Sequence, residues 1–142
     1  MGYTHYVRTK RKITDHEWKE ICNDFQHLLT TNKLIGGPVI QRDYDDPRAP
    51  EITDKHIWFN GAKEDGCETM ILYRDEGNGI FCKTNRRTYD IYVKALLIFA
   101  YNAAPRAFLV TSDGTIEEWE KAQEWVNSVM PFNEYVLPAS LY

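Results

Sequence analysis

The order of apolar patterns along this chain predicts an α+β domain: a mainly antiparallel sheet of about five strands with three helices, in the order β-α-β-β-β-α-β-α. Three observations carry that prediction. Two Thr-x-x-Glu spacings, Thr14 to Glu17 and Thr115 to Glu118, each open a run of apolar residues at helical spacing. Three short apolar runs with glycine-bearing connectors lie between them. A further segment, Tyr89 to Tyr101, places Ile91, Val93, Leu96, Leu97, Ile98 and Phe99 around nearly its whole circumference, the mark of a buried central helix. At 142 residues, 43% hydrophobic and 13% aromatic, the chain fits one domain, residues 1–142, with a substantial core.

Taken in order, Tyr3 to Thr9 is rich in aromatic and β-branched residues and reads as a first strand. The first capping box then starts a helix whose apolar face is Trp18, Ile21, Cys22, Phe25, Leu28 and Leu29, running to about residue 32. His16, Glu20 and His27 fall on its opposite, solvated side. From Leu34 to Lys55 the mixture of Pro, Gly and Asp predicts a functional or mobile loop, with a possible short strand at Val39-Ile40-Gln41. His56 to Asn60, Glu68 to Tyr73 and Ile80 to Thr84 follow as three strands of an antiparallel meander, the expected central sheet. After the buried helix, Ala103 to Arg106 ends it and Ala107 to Thr111 reads as another strand. The second capping box starts the last helix, with Ile116, Trp119, Ala122, Trp125, Val126, Val129 and Met130 on one face and Pro131 as its stop. The tail from Phe132 to Tyr142 is apolar enough to pack on its own domain or on a neighbouring subunit, which leads to the expectation of a symmetric homo-oligomer.

A net charge of −4 and a pI near 5.6 argue against general nucleic-acid binding, because duplex affinity rests on cations neutralising phosphates. Cys22, Cys67 and Cys82 are widely spaced and unpaired by motif, which suits a reducing compartment. Met1 to Tyr6 lacks the apolar core of a signal peptide, and the run Ala95 to Ala100 is too short to span a bilayer. The expectation is therefore a soluble, cytoplasmic protein without a membrane partner.

Chemistry-bearing candidates are few. No His-x-x-x-His, Cys-x-x-Cys or His-Glu-x-x-His spacing occurs, so no metal ligands and no cofactor are assigned. Cys82, beside Lys83 and a helix start, is a conceivable nucleophile, but strand alternation puts it on the side of Ile80 and makes it a core residue; no catalytic residues are assigned. The strand-to-helix corner is the better site. Lys83, Arg86 and Arg87 are delivered to free N–H groups at the positive end of a helix dipole, a combination that favours an anion. Phe81 or Tyr89 could stack on a base, and His5, Arg8 and Asn60 come from strands able to border the same sheet face. The competing reading is a satisfied corner, with Asp90 taking the helix N–H groups and the arginines paired to surface acids.

Gly2-Tyr3-Thr4-His5-Tyr6, Ile57-Trp58-Phe59-Asn60-Gly61, Glu68-Thr69, Phe81-Cys82-Lys83-Thr84, Tyr89-Asp90 and Ser112-Asp113-Gly114 together resemble a family of small uncharacterised bacteriophage and prophage proteins. The likeness spans most of the chain. It departs at Val7 and Met70, where family members carry Trp and an aromatic residue. By its context and size it is similar to phage anti-defence sponges that sequester nucleotide signals. The resemblance thus implies a non-enzymatic viral protein that binds a small anionic ligand, a cyclic nucleotide or an ADP-ribose derivative, in the host cytoplasm. The rival readings are an enzyme acting on a nucleotide or small metabolite through His5, Cys82 or Asp90, and an inhibitor that binds a host protein directly.

Overall fold

The computed structural model describes residues 2–34, 39–75, 79–130 and 133–142. Its elements are β1 (Thr4–Thr9), α1 (Asp15–Leu34), β2 (Ile40–Gln41), β3 (Glu51–Ile52), β4 (His56–Gly61), β5 (Met70–Tyr73), β6 (Ile80–Lys83), α2 (Asp90–Ala103), β7 (Phe108–Ser112) and α3 (Ile116–Val129), with 3-10 turns at Lys63–Asp65 and Ala139–Leu141. The class is α+β, as expected. The described residues form seven strands rather than about five, because the loop after α1 contributes the two-residue strands β2 and β3.

Strand pairing corrects the expected meander. β4 and β5 do form an antiparallel hairpin, with β2 and β3 also paired to β4. β6 instead joins β1 and β7 in a separate three-stranded sheet, ordered β6-β1-β7. On the edge of β6 that faces away from β1, the Glu68 backbone N–H donates to the Lys83 carbonyl at 3.1 Å and its carboxylate accepts the Lys83 N–H at 2.6 Å. A side chain therefore occupies the donor that a continuing ladder would have used. On its other edge β6 pairs with β1, in a register that sets Cys82 opposite His5 and Ile80 opposite Val7.

The small sheet meets α2 through β7, and both sheets share one core cluster with it. Its residues from Tyr92 to Ala100 are all buried, and α1, α3 and β7 pack around it. Phe25 of α1 meets Phe59 of β4 at 5.1 Å between ring centroids, and Tyr92 of α2 meets Trp125 of α3 at 5.3 Å. Both capping boxes form as the spacing predicts: Thr14 Oγ1 accepts from Glu17 N–H and Thr115 Oγ1 from Glu118 N–H, each glutamate reaching back to its threonine N–H. The stop at Pro131 and the Gly36-Gly37-Pro38 part of the loop lie outside the described residues.

Candidate functional site

Alternation along β1 divides the polar chemistry between the two faces of the small sheet. Tyr6 and Arg8 point outward, while His5 and Val7 point toward α2. On the outer face the register sets Tyr6 between Phe81 of β6 and Thr111 of β7, and Arg8 beside Leu109. Phe81 is 64% and Tyr6 43% exposed, and their ring centroids lie 6.5 Å apart with a 42° tilt. A shallow groove of about 340 Å³ runs between Tyr6, Arg8, Ile80, Phe81, Leu109 and Thr111. The Arg8 side chain makes no ion pair or hydrogen bond with any described residue, and Lys83 follows Phe81 on the same side of β6, its aliphatic stem over Gly2.

The three cations of the strand-to-helix corner diverge instead of meeting. The turn is tight: Arg87 N–H donates to Thr84 O at 2.9 Å, and Asn85 and Arg86 both take the left-handed conformation, φ 52° and 57°. Arg86 is held in that conformation by two contacts, its guanidinium 4.1 Å from the centre of the Tyr3 ring and its Nε donating to Glu118 at 2.9 Å. The Arg86 guanidinium in turn holds the Glu118 carboxyl down to about 2. Arg87 donates to the Glu64 carbonyl at 3.0 Å. Two of the helix-start donors are met from within the corner, Asp90 N–H by Arg87 O and Tyr92 N–H by Tyr89 O, both at 2.9 Å.

Tyr89 and Asn60, expected beside a ligand, are enclosed. The Tyr89 hydroxyl donates to Glu68 O at 2.5 Å, and burial pushes that phenol far above its ordinary range. Asn60 closes the loop before β5, its amide donating to Cys67 O and Thr69 Oγ1 at 3.0 Å. Cys82 is a core residue, and burial pushes its thiol up to about 12.

Toward the core, His5 stands at the centre of a polar chain. Its Nε2 lies 2.6 Å from Asp90 Oδ1 and its Nδ1 2.7 Å from Ser112 Oγ, with the imidazole itself 1% exposed. Asp90 also accepts from Thr84 Oγ1 at 2.5 Å and pairs with buried Lys94 at 3.0 Å. Burial raises the Asp90 carboxyl; His5, Lys94 and Thr84 more than offset it, leaving the group below the ordinary carboxylate range. Among the described residues no group of His, Cys, Asp and Glu is arranged to hold a metal ion, and no helix is long and apolar enough to cross a membrane.

No protein-family model, no curated protein and no solved structure matches this chain.

The sequence reading pointed to Phe81, Arg8 and Lys83, which share one face. It missed Tyr6, whose position one residue from His5 and two from Arg8 was the available signal: alternation from Arg8 assigns Tyr6 to the same side.

Proposed function

We propose that the chain binds and sequesters a small anionic, nucleotide-derived ligand, without turning that ligand over, on the outer face of the β6-β1-β7 sheet. The exposed Tyr6 and Phe81 rings beside the unpaired Arg8 carry this reading. Aromatic rings on an open sheet stack bases, and cations at the border take phosphate charge. The groove lining holds no carboxylate, thiol or imidazole, so this face is suited to holding a ligand rather than turning it over. The phage resemblance supplies the setting, an anti-defence sponge in the host cytoplasm. A homo-oligomer belongs to the same proposal, supported by the exposed Val136 and Tyr142 in the tail.

Titration calorimetry with cyclic dinucleotides, ADP-ribose derivatives and simple nucleotides tests it. One member of the panel should bind, and Arg8→Ala should weaken it about ten- to a hundredfold, as loss of a charge-assisted contact of about 1.5–3 kcal/mol requires. Phe81→Ala should cost a similar factor through lost stacking. Arg86→Ala should leave affinity unchanged, because that side chain is engaged by Glu118 and Tyr3. Equal binding by Arg8→Ala and the parent would remove the outer face from consideration. The second reading, an enzyme, is favoured by a separate observation, the His5 chain on the opposite face of the same strand.

A further inference from the structure

We propose that Ser112, His5 and Asp90 form a nucleophilic centre able to hydrolyse a small carboxylic ester, distinct from the ligand face and independent of it. The three groups are strung in line: carboxylate to Nε2 at 2.6 Å, Nδ1 to hydroxyl at 2.7 Å. In the tautomer the proposal uses, Nε2–H donates to Asp90 and the Nδ1 lone pair is aimed at Ser112. The Ser112 Oγ–H donates to that lone pair. Its oxygen accepts the Gly114 N–H at 2.8 Å and keeps one lone pair free for attack. His5 and Asp90 are shielded from water, while Ser112, at the end of β7, is half-buried and so partly open to a substrate.

A second observation places electrophile-stabilising donors at the same spot. The Tyr3 hydroxyl and the Trp119 indole N–H are buried to 3% and 0% exposure, and neither finds a hydrogen-bond partner among the described residues. Burial first, then the charges of Asp90 and Glu118, push the Tyr3 phenol up and hold it protonated. Both groups, with Ser112 Oγ, lie within 3.2 Å of the position a Gly114 Cβ would take, at 2.5, 3.2 and 3.1 Å. Buried donors without partners are costly, and beside an activated hydroxyl they are suited to receive an oxyanion.

The step balances with water as co-reactant. Ser112 Oγ bonds to the ester carbonyl carbon as its proton passes to His5 Nδ1, and the carbonyl electron pair becomes the oxyanion met by Tyr3 O–H and Trp119 N–H. The C–O bond to the alcohol then breaks, and the alcohol leaves with the proton from His5. Water attacks the acyl-Ser112, its proton goes to His5 and on to Ser112, and the carboxylic acid departs.

Two probes on the full chain test this: a small organophosphorus fluoride followed by intact-protein and peptide mass analysis, and 4-nitrophenyl acetate followed for a burst of nitrophenolate. One phosphoryl increment per chain on Ser112, and a burst matching the chain concentration, are expected. Ser112→Ala should abolish both; it gives up the bonds to His5 and from Gly114 N–H, so it should melt somewhat below the parent while keeping a cooperative transition. His5→Gln, if it melts like the parent, should slow them by about a hundredfold or more, the usual share of a general base. His16→Ala, on the exposed side of α1, should leave both unchanged, and neither probe reads nucleotide binding, so failure here and failure of the ligand-face reading are separately visible. A folded parent with neither increment nor burst, or an increment that survives Ser112→Ala, overturns the proposal and leaves the chain of bonds as a clamp between β1, β7 and α2.

Discussion

At the scale of single residues, the His5 chain shows what a linear reading cannot reach. His5 is 85 residues from Asp90 and 107 from Ser112, and each sits in a short segment with no spacing signature. Alternation says that His5 faces away from Tyr6, but only the pairing of β1 with β7 and the entry of α2 decide what it meets there. Gly114 is the sharpest probe of this cluster. Gly114→Ala would place a methyl 2.5 Å from the Tyr3 hydroxyl and about 3 Å from Ser112 Oγ and Trp119 Nε1, so it should destabilise by about 1–3 kcal/mol, read by urea denaturation. Gly79→Ala, whose nearest contacts would be 3.7 Å or more, should change stability far less. Glu118 provides a pH test. Its folded value of about 2 lies below the ordinary 4.5, so its pairing with Arg86 stabilises fully above about pH 5 and is lost as pH falls toward 2. The stability difference between the parent and Glu118→Gln should therefore shrink steadily over that interval; a gap that stays constant on acidification would show that the Arg86 pairing does not set it.

At the scale of elements, the readings that held are those fixed by local sequence. Capping boxes depend on two residues three apart, and the apolar circumference of α2 depends only on its own composition, so both were legible before any tertiary contact was known. The partner of β6 was not legible. It is β1, a strand more than 70 residues earlier in the chain, a pairing no local periodicity records. The two-residue strands β2 and β3 are likewise held by β4 rather than by their own propensity. The corner cations illustrate the same limit, since clustering in sequence brought Arg86 and Arg87 to different partners. The assignment of α2 as the core helix is tested by Leu96→Asp, which puts an unpaired charge at a position with no exposure. Circular dichroism should find no cooperative melt for that variant, whereas His16→Ala, on the exposed side of α1, should melt with the parent.

At the scale of the whole molecule, the tail decides between a strap and a dimer contact. The sequence left both open, because apolar content alone does not say which surface is covered. The structure covers much of it intramolecularly: Tyr135 and Leu137 are buried, the Tyr135 hydroxyl donates to Asp24 of α1 at 3.0 Å, and its ring stands against Phe99 at 5.2 Å. Asn102 and Asn127 hold the backbone at Val136 and Tyr135, and Ser140 Oγ donates to the Val110 carbonyl of β7. The strap thus ties α1, α2, α3 and the small sheet together. A chain ending at Glu134 gives up two buried apolar side chains, each contributing about 1.5–3 kcal/mol, and should lose about 10 °C or more in Tm. Val136 and Tyr142, at 53% and 79% exposure, contribute little to that strap and are the tail groups left to meet a second copy. Tyr142→Ser should therefore keep the parent Tm within a degree or two while lowering the mass seen by light scattering, if the tail tip makes the dimer. A parent that scatters as a monomer removes the dimer and leaves the truncation result intact, because the burial of Tyr135 and Leu137 lies wholly within one chain.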